Sequence, residues 1–382
     1  MREIDKLSDF QRWTTAGGEL EAHAIRDLDL RSHSKAIEQA EFPGSLFLAC
    51  KLSANAAAHI VHSGGTIIPK NKKFQFQIHR NSLYSVEDLY EGYDDPSGLQ
   101  EYERTRDYRI WSEYLQQGVY CHSIDVTLAR RLHDNSISHE LFELLKNEKT
   151  VAVMGGHCME RRSEFYKHVA VLSRRLTREG FLMASGGGPG AMEATHLGAY
   201  FAGRDEAELL AAIDEFKVRP ADGKPDREYE DPDWLPRAWR IRLKYPLQRE
   251  HEPRCKSIGI PTWLYGHEPT TPFATHIAKY FANSVREDGL LTIAHYGVIF
   301  APGSAGTTQE IFQDAAQNHY GTAGAAAPMI LFGVDHWTRT TPVWPLLSHV
   351  AKGQAYEDLI SITDDIEEII KRITDYDPDD HR

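Results

Sequence analysis

From about residue 150 onward the chain alternates short apolar runs with amphipathic stretches, and this alternation constrains the fold more than any other feature. The runs are VAVM at 151, FLMAS at 181, SIGIPTW at 257, GVIFA at 297, PMILF at 328 and LISIT at 359. Such runs separated by helical stretches predict a parallel sheet with helices on both faces. One helix is legible in detail. SEFYKHVAVLSRRLTRE begins at Ser163, an N-cap residue type, and stops at Gly180, with Arg174, Arg175 and Arg178 near the negative end of its dipole. The expected fold class is α/β, a doubly wound, Rossmann-like parallel sheet.

The first 145 residues read differently. SLFLAC at 45, a helical SANAAAHIVHSG and the run GTIIP form a small β-α-β candidate, followed by Tyr-rich, charged helical stretches such as EYERTRDYRIWSEYLQQG. We expect an additional N-terminal α/β domain over 1–145 and a ligand-binding domain over 146–382, since 382 residues exceed one ordinary core. The stretch from about 204 to 256 holds several prolines, Trp234, Trp239 and dense mixed charge, and reads as an insertion or lid.

Lys plus Arg number 43 against 56 Asp plus Glu, a net charge of −13 that argues against binding nucleic acid polymers or anionic membranes. The four cysteines form no C-x-x-C pair, which fits reduced thiols. MREIDKLSDFQRW has no apolar leader segment, and no stretch approaches the roughly 18 apolar residues of a membrane span. The expected location is the cytoplasm.

Three turns carry the chemistry. MGGHCMERRS at 154 contains Gly155 and Gly156; SGGGPGAMEA at 185 places Gly186, Gly188 and Ala191 in the spacing that sets a phosphate on a helix N-terminus; IFAPGSAGTTQE at 299 leads into a helix carrying Glu310. A dinucleotide site also needs an acidic residue at the end of a following strand about 20 residues on. Glu206 and Glu208 lie instead in a helical run, which disfavours NAD. Turns at the carboxyl ends of strands in one open sheet converge on its ligand crevice. With Thr307 as cap, Glu310 falls in the first helical turn, where the dipole favours an ionised carboxylate. Glu310, Asp314 and Gln317 then share one side, leaving Ile311, Phe312 and Ala315 for the core.

SGGGPGAMEA followed by APGSAGTTQE resembles the paired signatures of the LOG (Lonely Guy) family, a GGGxxGxM turn and a PGGxGTxxE turn about one hundred residues later. GPGAMEA is especially similar to bacterial nucleotide 5′-monophosphate nucleosidases related to that family. The resemblance covers roughly 150–375 and implies that 146–382 is a LOG-like nucleotide-binding catalytic domain with an insertion at about 204–256. It implies hydrolysis of the N-glycosidic bond of a nucleoside 5′-monophosphate, giving free base and ribose 5-phosphate, by a homodimeric enzyme without cofactor or metal. It also implies Glu310 as the catalytic glutamate stabilising an oxocarbenium ion, with Arg286 as its catalytic arginine. Gly303, Gly306 and Thr307 would hold the phosphate, Gly187, Gly188 and Gly190 would line the nucleotide, and Met192 would lie near the base. Gly155, Gly156, Gly186, Glu193 and Ser304 complete the expected binding set. Two positions depart from the pattern: Ser304 replaces the second glycine, and Gln309 replaces a frequent second acid. If the Ser304 position needs positive φ, the loop must shift or carry strain.

Two other readings stay open: a non-catalytic nucleotide-binding or sensing protein, and a carrier of a larger phosphorylated cofactor. His59 and His62, and the HEP tripeptides at 251 and 267, lack a third metal ligand at a telling spacing. His157, His267 and His319 fall beside the crevice loops. Ser163 and Ser185 have no His-Asp companions, and no G-x-x-x-x-G-K-[ST] occurs.

Overall fold

Apolar runs without polar alternation predict strands covered on both faces, and Phe181–Ser185 is buried at every residue. The computed structural model describes residues 2–15, 22–70, 73–93, 102–216, 225–247, 254–266 and 268–381. The chain divides into two compact units, one of Met1–Ser82 with Tyr120–Glu140 and the other of Leu83–Val119 with Leu141–Arg382.

The first unit holds a four-stranded parallel sheet: β1 (Arg2–Ile4), β2 (His23–Arg26), β3 (Leu46–Leu48) and β4 (Thr66–Ile68), in that order. The β-α-β candidate corresponds to β3, the helix Ala54–His62 capped by Ser53, and β4. β1 and β2 were not expected, because REI and HAIR are too short and charged to read as strands. Ile4 and Ile25 nevertheless join Phe10, Phe42, Phe47 and Ile60 in one core.

The second unit is built on seven parallel strands: β5 (Lys149–Met154), β6 (Phe181–Ser185), β7 (Ser257–Gly259), β8 (His276–Ile277), β9 (Val298–Phe300), β10 (Met329–Phe332) and β11 (Ile360–Thr363). Their order is β11-β10-β9-β5-β6-β7-β8, and every neighbouring pair is parallel. The sheet is therefore doubly wound. Strand order reverses between β5 and β9, the place where such sheets open a crevice at their carboxyl ends.

Glu206–Phe216 and Trp234–Lys244, within the stretch read as an insertion or lid, are helices of this unit. Leu209, Ile213, Phe216, Ala238 and Ile241 enter the same core as Val151, Val153 and Met183. These helices are thus part of the core, not a cover laid over it. Among the described residues no helix is long and apolar enough to cross a membrane.

Candidate functional site

The three turns follow β5, β6 and β9, which are adjacent in the order β9-β5-β6. Backbone hydrogen bonds tie them together: Ala301 N–H donates to Met154 C=O at 2.8 Å, Gly156 N–H to Pro302 C=O at 3.0 Å, and Ala191 N–H to Gly156 C=O at 3.1 Å. Such close backbone approach explains the glycines. A Cβ at Gly155 would lie 2.6 Å from that of Ala191, and Gly190 has φ +68° with the Gly156 carbonyl oxygen where a Cβ would stand.

The turns wall a cavity of about 260 Å³. Gly155, Gly156, Gly186, Gly187, Gly188 and Met192 line it from the first two turns. Ser304, Gly306, Thr307 and Glu310 line it from the third, and Arg286 enters from the helix Asn283–Thr292. Three other expected residues shape the site without lining it. Gly190 is the N-cap of the helix Ala191–Tyr200. Gly303 is held by His336, whose Nε2 lies 3.0 Å from its carbonyl oxygen and 3.3 Å from its nitrogen. Glu193 is wholly buried; it accepts from Arg161 at 2.7 and 2.8 Å and from the Tyr166 hydroxyl at 2.8 Å, so it serves the core.

The third turn differs from its reading. Its helix spans Ala305–Tyr320 with Ser304 as N-cap, so Thr307 lies inside the first turn and Glu310 in the second. Ser304 makes no capping bond through its side chain and has φ −118°, which removes the expected strain from a non-glycine residue there. The first N–H groups of a helix have no intrahelical acceptor, and here Gly306 and Thr307 border the cavity. Ile311 and Ala315 are in the core as expected, whereas Asp314 is also buried and Phe312 only half-buried.

Charge in the cavity is more finely balanced than the turns suggest. Arg286 Nε donates to Ile260 C=O at 3.0 Å, and its Nη1 lies 3.8 Å from Glu310 Oε1. Burial pushes the Glu310 carboxyl up to about 7, against the opposing pull of Arg286 and with a smaller push from Glu287. Burial thus works against the ionised Glu310 expected of a first-turn carboxylate, and a dipole effect fades beyond the first turn. Glu268 is also raised to about 7 by burial, with Arg286 again opposing.

Glu268 was missed, as were Thr262, Thr270, Lys279 and Glu287, all of which line the cavity. For Thr262, Glu268 and Thr270 the signal was a further polar, proline-containing loop, PTWLYGHEPTTPF, at the carboxyl end of an apolar run; Lys279 and Glu287 lie beyond it. Among the histidines singled out, His157 lines the cavity and meets the edge of Tyr229. His319 is exposed against Tyr320 and Tyr356, and His59 hydrogen bonds with Ala40 C=O at 2.7 Å. His251 and His267 lie outside the described residues. Ser163 caps its helix, and Ser185 donates to Val153 C=O at 2.7 Å. Among the described residues no group of three His, Cys, Asp or Glu side chains is arranged to hold a metal ion.

No family model matches the chain, and no curated protein matches it. Among solved structures it is similar to the molybdenum cofactor binding protein of Rippkaea orientalis, at 16% identity and a TM-score of 0.38, over 60% of this chain and 97% of that one. It is also similar to the molybdenum cofactor carrier protein of Chlamydomonas reinhardtii, at 12% identity and a TM-score of 0.36, over 60% and 98%. These are described as a binding and a carrier protein, where the LOG family was expected. The expectations tied to that placement are withdrawn with it: hydrolysis of an N-glycosidic bond, catalytic roles for Glu310 and Arg286, a nucleoside monophosphate as partner, and the dimer. The likeness is too slight to lend this chain a ligand in their place.

Proposed function

We propose that the chain is a binding protein for a small phosphorylated molecule, seated in the cavity at the carboxyl edge of the seven-stranded sheet. One observation carries this reading: glycine turns from three adjacent strands, the first turn of a sixteen-residue helix and the Arg286 guanidinium all border one cavity at the point where strand order reverses. Backbone N–H groups at Gly306 and Thr307, backed by the positive end of the helix, suit phosphate oxygens. Arg286 adds a planar donor that pairs well with them. With carboxyls raised to about 7 at Glu310 and Glu268, the cavity carries less opposing charge near neutrality than its composition implies.

Calorimetric titration and thermal unfolding with inorganic phosphate and pyrophosphate test the proposal. Saturable binding is expected, with stabilisation of about 2.7 kcal/mol when free ligand reaches about one hundred times Kd. Arg286→Gln should weaken binding about tenfold or more through loss of a charge-assisted contact. Absence of binding by both anions, or wild-type affinity in Arg286→Gln, sinks the reading.

A further inference from the structure

The same cavity is also lined by one member of a buried ion pair that phosphate binding leaves without a role. Lys279, two residues beyond β8, is 1% exposed in its side chain, and its Nζ stands 2.7 Å from Oδ1 of Asp107, which is wholly buried. The surroundings of the pair are built, not incidental. Asp107 accepts from the Tyr102 hydroxyl at 3.0 Å, from Trp263 Nε1 at 3.1 Å and from the Thr270 hydroxyl at 3.2 Å. Lys279 also donates to the Thr270 hydroxyl at 3.0 Å and stands over the Trp263 ring at 5.4 Å.

Burying an ammonium and a carboxylate costs more than packing apolar side chains of similar volume, so the pair is poorly explained by stability alone. Of the three N–H donors on an ammonium, Asp107 and Thr270 take two. Lys279 also lines the cavity, together with Thr270 and Glu268. Asp107 cancels the charge of Lys279, so this part of the cavity suits a neutral acceptor better than a second anion.

We propose that Lys279 donates its third N–H to a neutral carbonyl oxygen of the bound molecule, and that Asp107 is the positioning residue that aims it. The ligand class is then a phosphate ester that carries a carbonyl within the same cavity, which Lys279, Arg286, Gly306 and Thr307 all line. This rests on the phosphate reading of the glycine turns.

The test uses the full chain and two bicyclic phosphate esters of similar size, 4-methylumbelliferyl phosphate, which has a ring carbonyl opposite its phosphate, and 2-naphthyl phosphate, which has none. The wild type should prefer the first by about tenfold, the upper range for one hydrogen bond. Lys279→Met should abolish that preference while leaving affinity for inorganic phosphate within about twofold. Lys279→Met leaves Asp107 buried and unpaired, so Asp107→Asn/Lys279→Met, which removes both charges, is measured beside it and should behave alike. Equal affinity for the two esters in the wild type, or a preference that survives in either variant, overturns the proposal. Failure of inorganic phosphate to bind the wild type overturns the underlying reading instead.

Discussion

Asp314 shows how far a residue's chemistry can depart from what its position in a helix suggests. It is buried, its Oδ2 has no hydrogen-bond partner among the described residues, and burial pushes its carboxyl up to about 8. Between about pH 4 and pH 8 the folded state keeps a proton that the unfolded chain has released, so stability falls as pH rises through this window. Asp314→Asn, which cannot ionise, should therefore gain stability relative to the wild type at pH 9 compared with pH 5, by up to about 4 kcal/mol; urea unfolding at both pH values measures it. A constant difference between the two would contradict the assignment. In the cavity the same logic acts on binding. Glu310 and Glu268 lose their protons near pH 7 and then repel an anion. Sulfate, whose charge is constant from pH 6 to pH 8, should bind more weakly at pH 8, and Glu310→Gln should reduce that dependence and tighten binding at pH 8. Titration calorimetry at the two pH values decides it. That Glu310 lies on the helix after the third turn was legible in the sequence, but its place in the second helical turn and its protonation were not, because cap and burial are set by the fold around it.

At the scale of elements, long apolar runs announced themselves and short or polar ones did not. β5, β6, β7, β9, β10 and β11 all coincide with the runs read as strands, since strands covered on both faces leave no polar gaps. β8 is two residues, His276 and Ile277, defined by pairing with β7 and not by any apolar run. The start of the helix Ala305–Tyr320 was misplaced for a different reason: its cap, Ser304, makes no side-chain bond, so no local chemistry marked it over Thr307. The glycine turns separate two kinds of constraint. Gly190 combines φ +68° with a blocked Cβ position, whereas a Cβ at Gly306 would meet open space. Gly190→Ala should therefore cost about 1–3 kcal/mol in chemical unfolding. Gly306→Ala should leave the fold as stable or gain up to about 1 kcal/mol, yet weaken phosphate binding because the methyl group stands where the anion approaches. Equal stability losses in the two variants would show that the turns are constrained alike.

At the scale of the whole molecule, the sequence divided the chain by composition, and composition does not record which distant segments pack together. We retain 1–145 and 146–382 as a proposal about its functional parts, but residues 83–119 fold with the second unit. Within that unit Asp107 meets Lys279 across 172 residues of sequence, the Tyr90 hydroxyl donates to Thr270 C=O, and Tyr84 and Ile277 exchange backbone hydrogen bonds of 3.0 and 2.9 Å. No periodicity or motif marks such pairings. A chain shortened to 146–382 would leave Lys279 without Asp107, and an unpaired buried charge costs about 3–5 kcal/mol. That is a large share of the 5–15 kcal/mol by which folded domains are typically stable. The fragment 146–382 should accordingly melt well below a fragment of 83–382, or fail to show a cooperative transition, when the two are compared by circular dichroism at equal concentration. Introducing Lys279→Met into the shorter fragment should recover part of the difference, because it removes the stranded charge. Equal melting midpoints would mean that 83–119 adds nothing to this unit's stability. A shortfall that Lys279→Met does not reduce would place the loss in the Tyr84 and Tyr90 contacts instead of the ion pair.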